Sequence, residues 1–376
     1  MSRLANQHGA VNLGQGFPDF PGPSFVKDAA KTAIDADLNQ YAISHGAARL
    51  RQIIAQTWNE RYAADVDPER EVTVTSGATE AIFDAIQAFA GPGDEIAVFE
   101  PFYDSYLPSA IMAGATPRTI RLHPPSWTFD PEVAAAVFGP QTRVLLLNTP
   151  HNPTGKVFTR MELELLADLC QRWDTVALTD EVYERIVFDD AEHIPLATLP
   201  GMWERTLTIN STGKTFSMTG WKVGYAIGPP PLSDALRAVH QFVTFASATP
   251  FQDAMAAALE IAPALDYYAE LRRDYHRRRD LLRAALEAAS LPTLPVDGAY
   301  FLMSDIAQLG FETDVAFCRW LAAEIGVAAV PPSAFYLDPQ TAPLLARFCF
   351  AKREETLQLA AGRLRQIASR GDVVTG

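Results

Sequence analysis

Lys214 lies in the run Ser211-Thr212-Gly213-Lys214-Thr215-Phe216-Ser217, a stretch of small and hydroxyl residues directly after the apolar run Thr206 to Ile209. A second lysine follows inside Met218-Thr219-Gly220-Trp221-Lys222-Val223-Gly224-Tyr225. Lysines normally occupy solvated faces, and a surface loop with two of them is the plain reading of this run. Chemistry offers a sharper one. A partly desolvated lysine has a lowered pKa and can form a Schiff base with an aldehyde. Hydroxyls, glycine backbone and a second cation suit a phosphate, so an aldehyde bearing a phosphate, pyridoxal phosphate (PLP), satisfies the whole run.

Other motifs stand at the ends of apolar runs, where open α/β sheets place their ligands. Ser76-Gly77-Ala78-Thr79-Glu80 marks a turn from strand into helix, and the first N–H groups of such a helix form an anion site. Many such turns look alike. Asn148-Thr149-Pro150-His151-Asn152-Pro153-Thr154-Gly155 ends in Gly155-Lys156, but Pro150 in the first glycine position and Val157 after the lysine exclude a P-loop. Thr179-Asp180-Glu181-Val182-Tyr183 closes another apolar run. A carboxylate there is either an ordinary strand-end acid or the partner of a protonated ring nitrogen, because an unpaired one would cost several kcal/mol to desolvate. Leu13-Gly14-Gln15-Gly16-Phe17-Pro18 lacks the third glycine and the preceding strand of a dinucleotide loop. Arg347 falls inside the apolar run Arg347-Phe348-Cys349-Phe350, so it must find an anion: a substrate carboxylate, or a structural salt-bridge partner.

These residues need strands to carry them. Glu71 to Thr75 reads as a strand, followed by a helix from about Ala78 to Ala90. Further strands are expected at Glu95 to Phe99, Thr116 to Arg121, Arg143 to Leu147, Thr175 to Thr179, Thr206 to Ile209 and Val223 to Ile227. Unbroken apolar stretches such as Val144 to Leu147 suit strands covered on both faces. Helical patterns intervene; before one of them Thr159 can cap, with Glu162 three positions later. The expected fold is α/β, a mostly parallel sheet with helices on both faces plus a smaller α/β domain. Residues 28–262 form the large domain of this reading. Residues 1–27 and 263–376, with a long helix near Asp266 to Ala289, form the small one, and the Pro-rich arm Phe17 to Pro23 packs against both.

With 376 residues and 48% hydrophobic content, the chain has enough apolar mass for this arrangement. Acidic residues outnumber basic ones, 45 to 31, for a net charge of −14, which disfavours nucleic acid or an anionic membrane as partner. The basic cluster Arg272 to Arg279 reads as the solvated face of a helix. Cys170, Cys318 and Cys349 are scattered, with no C-x-x-C pair and no histidine at ligand spacing, so neither disulfide nor metal site is expected. No apolar stretch suits a signal peptide or a membrane span, and the chain reads as cytoplasmic.

Together the motifs resemble the PLP-dependent aminotransferases of fold type I, the aspartate aminotransferase superfamily (class I/II), over nearly the whole chain. Asn12 to Phe20, Asn148 to Pro153, Thr179 to Tyr183, Gly213-Lys214-Thr215, Met218 to Tyr225 and Arg347 to Lys352 are most similar to the kynurenine/glutamine transaminase and methionine aminotransferase branch. The resemblance implies Lys214 as the Schiff-base lysine and proton carrier, Asp180 against the pyridine nitrogen, and Asn152 and Tyr183 on the ring's phenolic oxygen. It implies Tyr103 stacked on the ring, and Ser211, Lys222 and the backbone of Ala78 and Thr79 on the phosphate. Tyr41 would reach the phosphate in the other subunit of a homodimer, and Arg347 would hold the substrate carboxylate with Asn152 and the backbone of Gly16. The implied activity is transfer of the amino group of an L-amino acid (methionine, aromatic, glutamine or kynurenine-like) to a 2-oxo acid by a ping-pong mechanism. The apolar Gln241 to Ser247, where dicarboxylate-specific relatives add an arginine, favours such side chains. A carbon–sulfur β-lyase acting on cysteine conjugates would use the same residues. Many relatives have arginine where this chain has Lys222, which exchanges a planar fork for a point charge. The branch normally carries a segment upstream of the position of Met1 that covers the site, implying an earlier start or a more open pocket.

Overall fold

A computed structural model describes residues 1–369. Seven strands form its central sheet: β1 (Val72–Ser76), β2 (Glu95–Glu100), β3 (Thr116–Arg121), β4 (Thr142–Asn148), β5 (Val176–Asp180), β6 (Thr206–Ser211) and β7 (Val223–Ile227). Their order is β1-β7-β6-β5-β4-β2-β3, and β7 alone runs antiparallel to its neighbours. Strand β4 shows the logic of the layers. Val144 and Leu146 enter one apolar cluster while Leu145 and Leu147 enter another, so alternate side chains feed a core on each face.

Helices cover both faces. On one side α1 (Ala78–Phe89) buries Ala81, Ile82, Ala85 and Ile86 against Leu232 and Leu236 of a later helix at Pro230–Val243. On the other, α2 (Arg160–Trp173) buries Leu163, Leu166, Ala167 and Cys170. Thr159 and Glu162 form the capping box that their spacing predicts. Lys156 donates to Glu162 Oε1 at 2.8 Å, which accounts for a lysine that imitates a P-loop.

Beyond the sheet, a 22-residue helix, α3 (Tyr267–Ala288), leads to an antiparallel pair, β8 (Phe301–Asp305) and β9 (Leu345–Cys349), in which Arg347 stands opposite Met303. Val11–Asn12 pairs in parallel with Val327–Ala328. One cluster joins Leu13, Leu282, Leu286, Phe301, Phe348 and Phe350 to Tyr183 and Ile186, directly after β5. The arm touches both regions, as its position implies. A Cβ at Gly22 would meet Met218 at 2.7 Å, while Asp19 accepts from the Arg353 amide at 2.6 Å and from Thr356 at 2.7 Å.

Two local expectations change. Lys214 stands in a one-turn helix, Thr212–Thr215, not in an open loop, because Ser211 Oγ accepts from the Gly213 amide and caps it. The run Arg272 to Arg279 is not wholly solvated. Tyr275, Arg279 and Leu282 share the inward stripe of α3, where Arg279 donates to Asp189 at 2.5 Å. Arg278 stacks on Phe20, 4.0 Å from the ring centre.

The fold also assembles a buried group that scattered spacing conceals. Glu80 and Asp84 of α1 meet His240, whose Nδ1 lies 2.6 Å from Glu80 Oε1 and whose Nε2 lies 2.7 Å from the Ser44 carbonyl oxygen. That first separation is a hydrogen bond and is too short for two ligands of one cation. Asp84 is fully buried, and neither of its oxygens has a hydrogen-bond partner among the described residues. Burial, then the Glu80 charge, pushes its carboxyl up to about 7 from 3.8. A carboxyl raised on folding destabilises the fold above its folded pKa and recovers as pH falls toward the unfolded value. Asp84→Asn is therefore expected to raise the melting temperature at pH 8, with a smaller gain at pH 5. Thermal denaturation at the two pH values checks it.

Candidate active site

Three parallel strands end on polar residues at one edge of the sheet: β4 on Asn148, β5 on Asp180 and β6 on Ser211. Strand β1 turns there into α1 through Gly77, whose φ of 81° few side chains tolerate. Above these ends lies a cavity of about 520 Å³. It is lined by Gly16, Ala78, Thr79, Tyr103, Asn152, Asp180, Tyr183, Ser211, Lys214, Lys222 and Arg347. Of the residues singled out in the sequence, Tyr41 stands apart. It is 82% exposed and packs edge-on against Phe245 at 5.2 Å, outside the cavity of its own chain.

One end of the cavity is built for an anion. A Cβ on Gly224 would lie 2.5 Å from the Ala78 nitrogen, so β7 reaches the first turn of α1 only as bare backbone. Lys222, at φ 54°, lays its ammonium against Gly77. The N-terminal N–H groups of α1, the Ser211 hydroxyl and this ammonium face one space, with the helix dipole favouring negative charge.

The floor is a hydrogen-bonded chain. Asn148 Nδ2 donates to the Asp180 carbonyl at 2.8 Å, and Asn148 Oδ1 accepts from the Asn152 amide at 2.7 Å. The Tyr106 hydroxyl donates to Asp180 Oδ2 at 2.7 Å. Burial raises the Asp180 carboxyl from its ordinary value, and burial raises the Tyr183 hydroxyl well above its own. Lys214 projects between the Tyr183 and Tyr300 rings, 5.5 Å from each centre, and donates to the Tyr300 hydroxyl at 3.0 Å. Removal from water lowers its pKa from 10.5 to about 8, against the opposing pull of Asp180.

At the far end Arg347 is buried between Phe301 and Phe335, 4.2 and 4.8 Å from their ring centres. It donates to Asn152 Oδ1 at 2.8 Å and to the Gly14 carbonyl at 3.3 Å. Among the described residues no carboxylate pairs with it, and its Nε has no hydrogen-bond partner. Within the described chain the structural salt bridge is not formed, and burial lowers the Arg347 pKa. Phe335 belongs to a loop that is fastened to β2 and its exit: the Phe102 amide donates to the Phe335 carbonyl at 2.9 Å, and the Leu337 amide to Glu100 Oε1 at 2.7 Å.

Sequence reasoning missed Tyr106 and Tyr300. Tyr300 reads as core in Ala299-Tyr300-Phe301-Leu302, and Tyr106 as one more apolar helix residue. Only the pairing partners, 74 and 86 positions away, reveal what their hydroxyls do.

Residues 9–364 match the model of the family described as aminotransferase class I and II. The chain belongs to this family. It is 42% identical to the methionine aminotransferase of Escherichia coli, over 98% of this chain and 94% of that one. It is 41% identical to human kynurenine–oxoglutarate transaminase 1, over 97% and 94% of the two chains. The solved structure of the Escherichia coli enzyme superposes with a TM-score of 0.94, covering 97% of this chain and 95% of that one. That of N-succinyldiaminopimelate aminotransferase from Mycobacterium tuberculosis, 44% identical, gives 0.93 with 98% and 96% covered. The fold is that of the fold type I PLP enzymes, and the protein is an amino-acid aminotransferase; the carbon–sulfur lyase alternative is not favoured. Among the described residues no helix is long and apolar enough to cross a membrane.

Members of the family use PLP, and the cavity fits it. A lysine with a lowered pKa, a helix N-terminus flanked by hydroxyl and ammonium, and a buried carboxylate are its three requirements. Among the charged residues lining the cavity, Lys214, Lys222 and Arg347 stand against Asp104 and Asp180. The depressed Lys214 pKa has a measurable cost. The unfolded chain binds this proton up to about 10.5 and the folded chain only up to about 8, so the penalty is complete below about 8 and vanishes above about 10.5. Lys214→Met is expected to melt above the parent in cofactor-free protein at pH 7, with the difference closing as pH rises. Melting curves from pH 7 to pH 11 test the sign.

Proposed function

We propose that the chain transfers the amino group of an L-amino acid with an apolar or aromatic side chain, methionine and kynurenine-like donors included, to a 2-oxo acid, using PLP. One observation carries the reading: Lys214, Asp180 and Arg347 face a single cavity, and Arg347 is buried there without a carboxylate partner. Lys214 would hold the cofactor's aldehyde carbon and Asp180 its ring nitrogen. Asn152 and Tyr183 would hold the ring hydroxyl, and Tyr103 its face. The amides of Ala78 and Thr79, with Ser211 Oγ and Lys222 Nζ, would hold the phosphate, joined by Tyr41 of a second copy in a homodimer. Residues 28–262 supply this cofactor-bearing part, while residues 1–27 and 263–376 contribute Gly16 and Arg347. When bound, the cofactor supplies an electron sink for the charge left on the substrate Cα.

The remaining steps belong to the chain's own groups. Arg347 would grip the substrate carboxylate with its planar fork, helped by Asn152 and the Gly16 backbone, and so fix which Cα bond faces Lys214. Lys214 Nζ, neutral in part near pH 8 because burial disfavours its charge, takes the Cα proton and holds it for return. Asp180, its carboxylate held by Tyr106 and its carbonyl by Asn148, would hold the ring nitrogen when the cofactor is bound. Donor and acceptor use one site in turn, which predicts ping-pong kinetics. Lys214→Ala should lose multiple-turnover transamination by at least about 10²–10⁴-fold, the range proton transfer supplies. Sustained turnover by that variant refutes the assignment.

Donor preference follows from the walls. Phe17, Val182, Phe301, Val330, Ala334 and Phe335 line the cavity, and among its lining residues Arg347 is the one arginine. The names of the two relatives cited first, a methionine aminotransferase and a kynurenine transaminase, agree with an apolar pocket. Such pockets separate substrates by only about 1–3 kcal/mol per methylene, so a broad donor range is expected. In a screen of all twenty amino acids, methionine and aromatic donors should exceed aspartate in kcat/KM. A dominant aspartate rate would overturn the preference without touching the chemistry.

A further inference from the structure

Tyr300 has no role in the scheme above, yet its hydroxyl is the hydrogen-bond partner of the catalytic amine. Lys214 Nζ donates to it at 3.0 Å, and it donates in turn to the Gly16 carbonyl at 2.6 Å. The ring that carries the hydroxyl is fully buried. Tyr183 meets it edge-on at 5.0 Å, Tyr275 stacks on it at 5.9 Å and Phe301 tilts against it at 4.8 Å. A tyrosine hydroxyl has one proton and two lone pairs. With its proton committed to Gly16, it can only accept from Lys214, so the direction of the amine is set by an oxygen that cannot turn away. Gly16 lies on the segment whose Gly14 carbonyl accepts from Arg347, so the same short stretch of backbone braces the amine and the carboxylate-binding guanidinium.

We propose that Tyr300 is a positioning residue for Lys214: its hydroxyl, locked by the Gly16 carbonyl, parks the amine over the cavity whenever the lysine is not bonded to the cofactor, and sets how readily that amine holds a proton. The inference rests on the aminotransferase reading, because parking matters only if Lys214 is released and re-engaged in each half-reaction. Tyr300 is not among the residues that line the cavity, so its direct effect belongs on kcat. Other charged or titratable groups that face Lys214 are Tyr183, whose ring centre is 5.5 Å from Nζ, Asp180 and Cys349, which favour its charged form, and Lys222 and Arg347, which oppose it. Removing the Tyr300 oxygen leaves these groups in place and subtracts one acceptor from the ammonium.

The test uses Tyr300→Phe, which keeps the packed ring. In the full-length chain stripped of cofactor, the Lys214 amine is titrated by competitive acylation and peptide mass spectrometry. A hydrogen bond to a charged group is worth about 1.5–3 kcal/mol, so its midpoint should fall by about one pH unit or more from the parent value. In the cofactor-loaded enzyme kcat should fall about tenfold or more while the donor KM stays within about twofold, the pattern of a misaimed catalytic group. An unchanged midpoint, or a raised KM at unchanged kcat, would overturn the proposal and leave Tyr300 as packing for the arm. Should the variant fold poorly, ring-carbon NMR of tyrosine-labelled parent protein decides instead. The Tyr300 signal should titrate with the Lys214 midpoint and lose that step in Lys214→Met; a signal indifferent to both refutes the contact. Failure here with Lys214→Ala still inactive removes Tyr300 alone, whereas an active Lys214→Ala removes the reaction itself.

Discussion

Everything in this site depends on keeping cations out of water without giving each one an anion of its own. A buried guanidinium and a partly buried amine are costly. The chain tolerates both because rigid surroundings leave them no better conformation. Arg347 is clasped by Phe301 and Phe335 and by two oxygens that carry no net charge, Asn152 Oδ1 and the Gly14 carbonyl. Lys214 is held in a capped turn at the end of β6, beside the aromatic rings of Tyr183 and Tyr300. The unmet demand for negative charge is what a phosphate-bearing aldehyde and an α-carboxylate would supply. Binding and stability therefore trade against each other at the same atoms.

The sheet makes this trade workable. Parallel strands buried on both faces have no freedom to shift register, so Asn148, Asp180 and Ser211 arrive at a common edge. Glycines remove the last obstruction: β7 meets the start of α1 at Gly224, where a side chain would collide with main chain, and Gly77 leaves room for the Lys222 ammonium. Even so, Arg347, the proposed carboxylate clamp, comes from elsewhere, from β9, which pairs with β8 and not with the central sheet.

Local pattern was enough to read most of this. Strands Thr116–Arg121 and Val223–Ile227 coincide with their expected bounds; in the second an apolar run leaves little choice, and the Thr159 cap is visible as a spacing. Arg347 and Asp180 stood out as charged residues in or at the end of apolar runs and Lys214 as a lysine among small and hydroxyl residues, whereas Asn152 was singled out by the family resemblance. Tyr300 and Tyr106 were not, since a tyrosine among apolar residues satisfies a core pattern and its hydroxyl partner is distant in the chain. The inward part of the basic run in α3 misled for the opposite reason. Arginines look solvated until Asp189 and the Phe20 ring are brought to them by the fold. His240 is likewise ordinary in its own helix and meaningful only beside Glu80 and Asp84.

The loop that carries Phe335 is fastened to the outer part of the sheet through the Phe102 amide and the Glu100 carboxylate, while Lys214 and Asp180 stand on β5 and the turn after β6. Wall and machinery are thus inherited on separate pieces of chain. On the proposed reaction, a lineage could lengthen, shorten or re-letter the stretch around residues 332–341 and change what its members consume, without disturbing the lysine that would handle the proton. Diversity of diet on an unvarying reaction is what such an architecture makes easy.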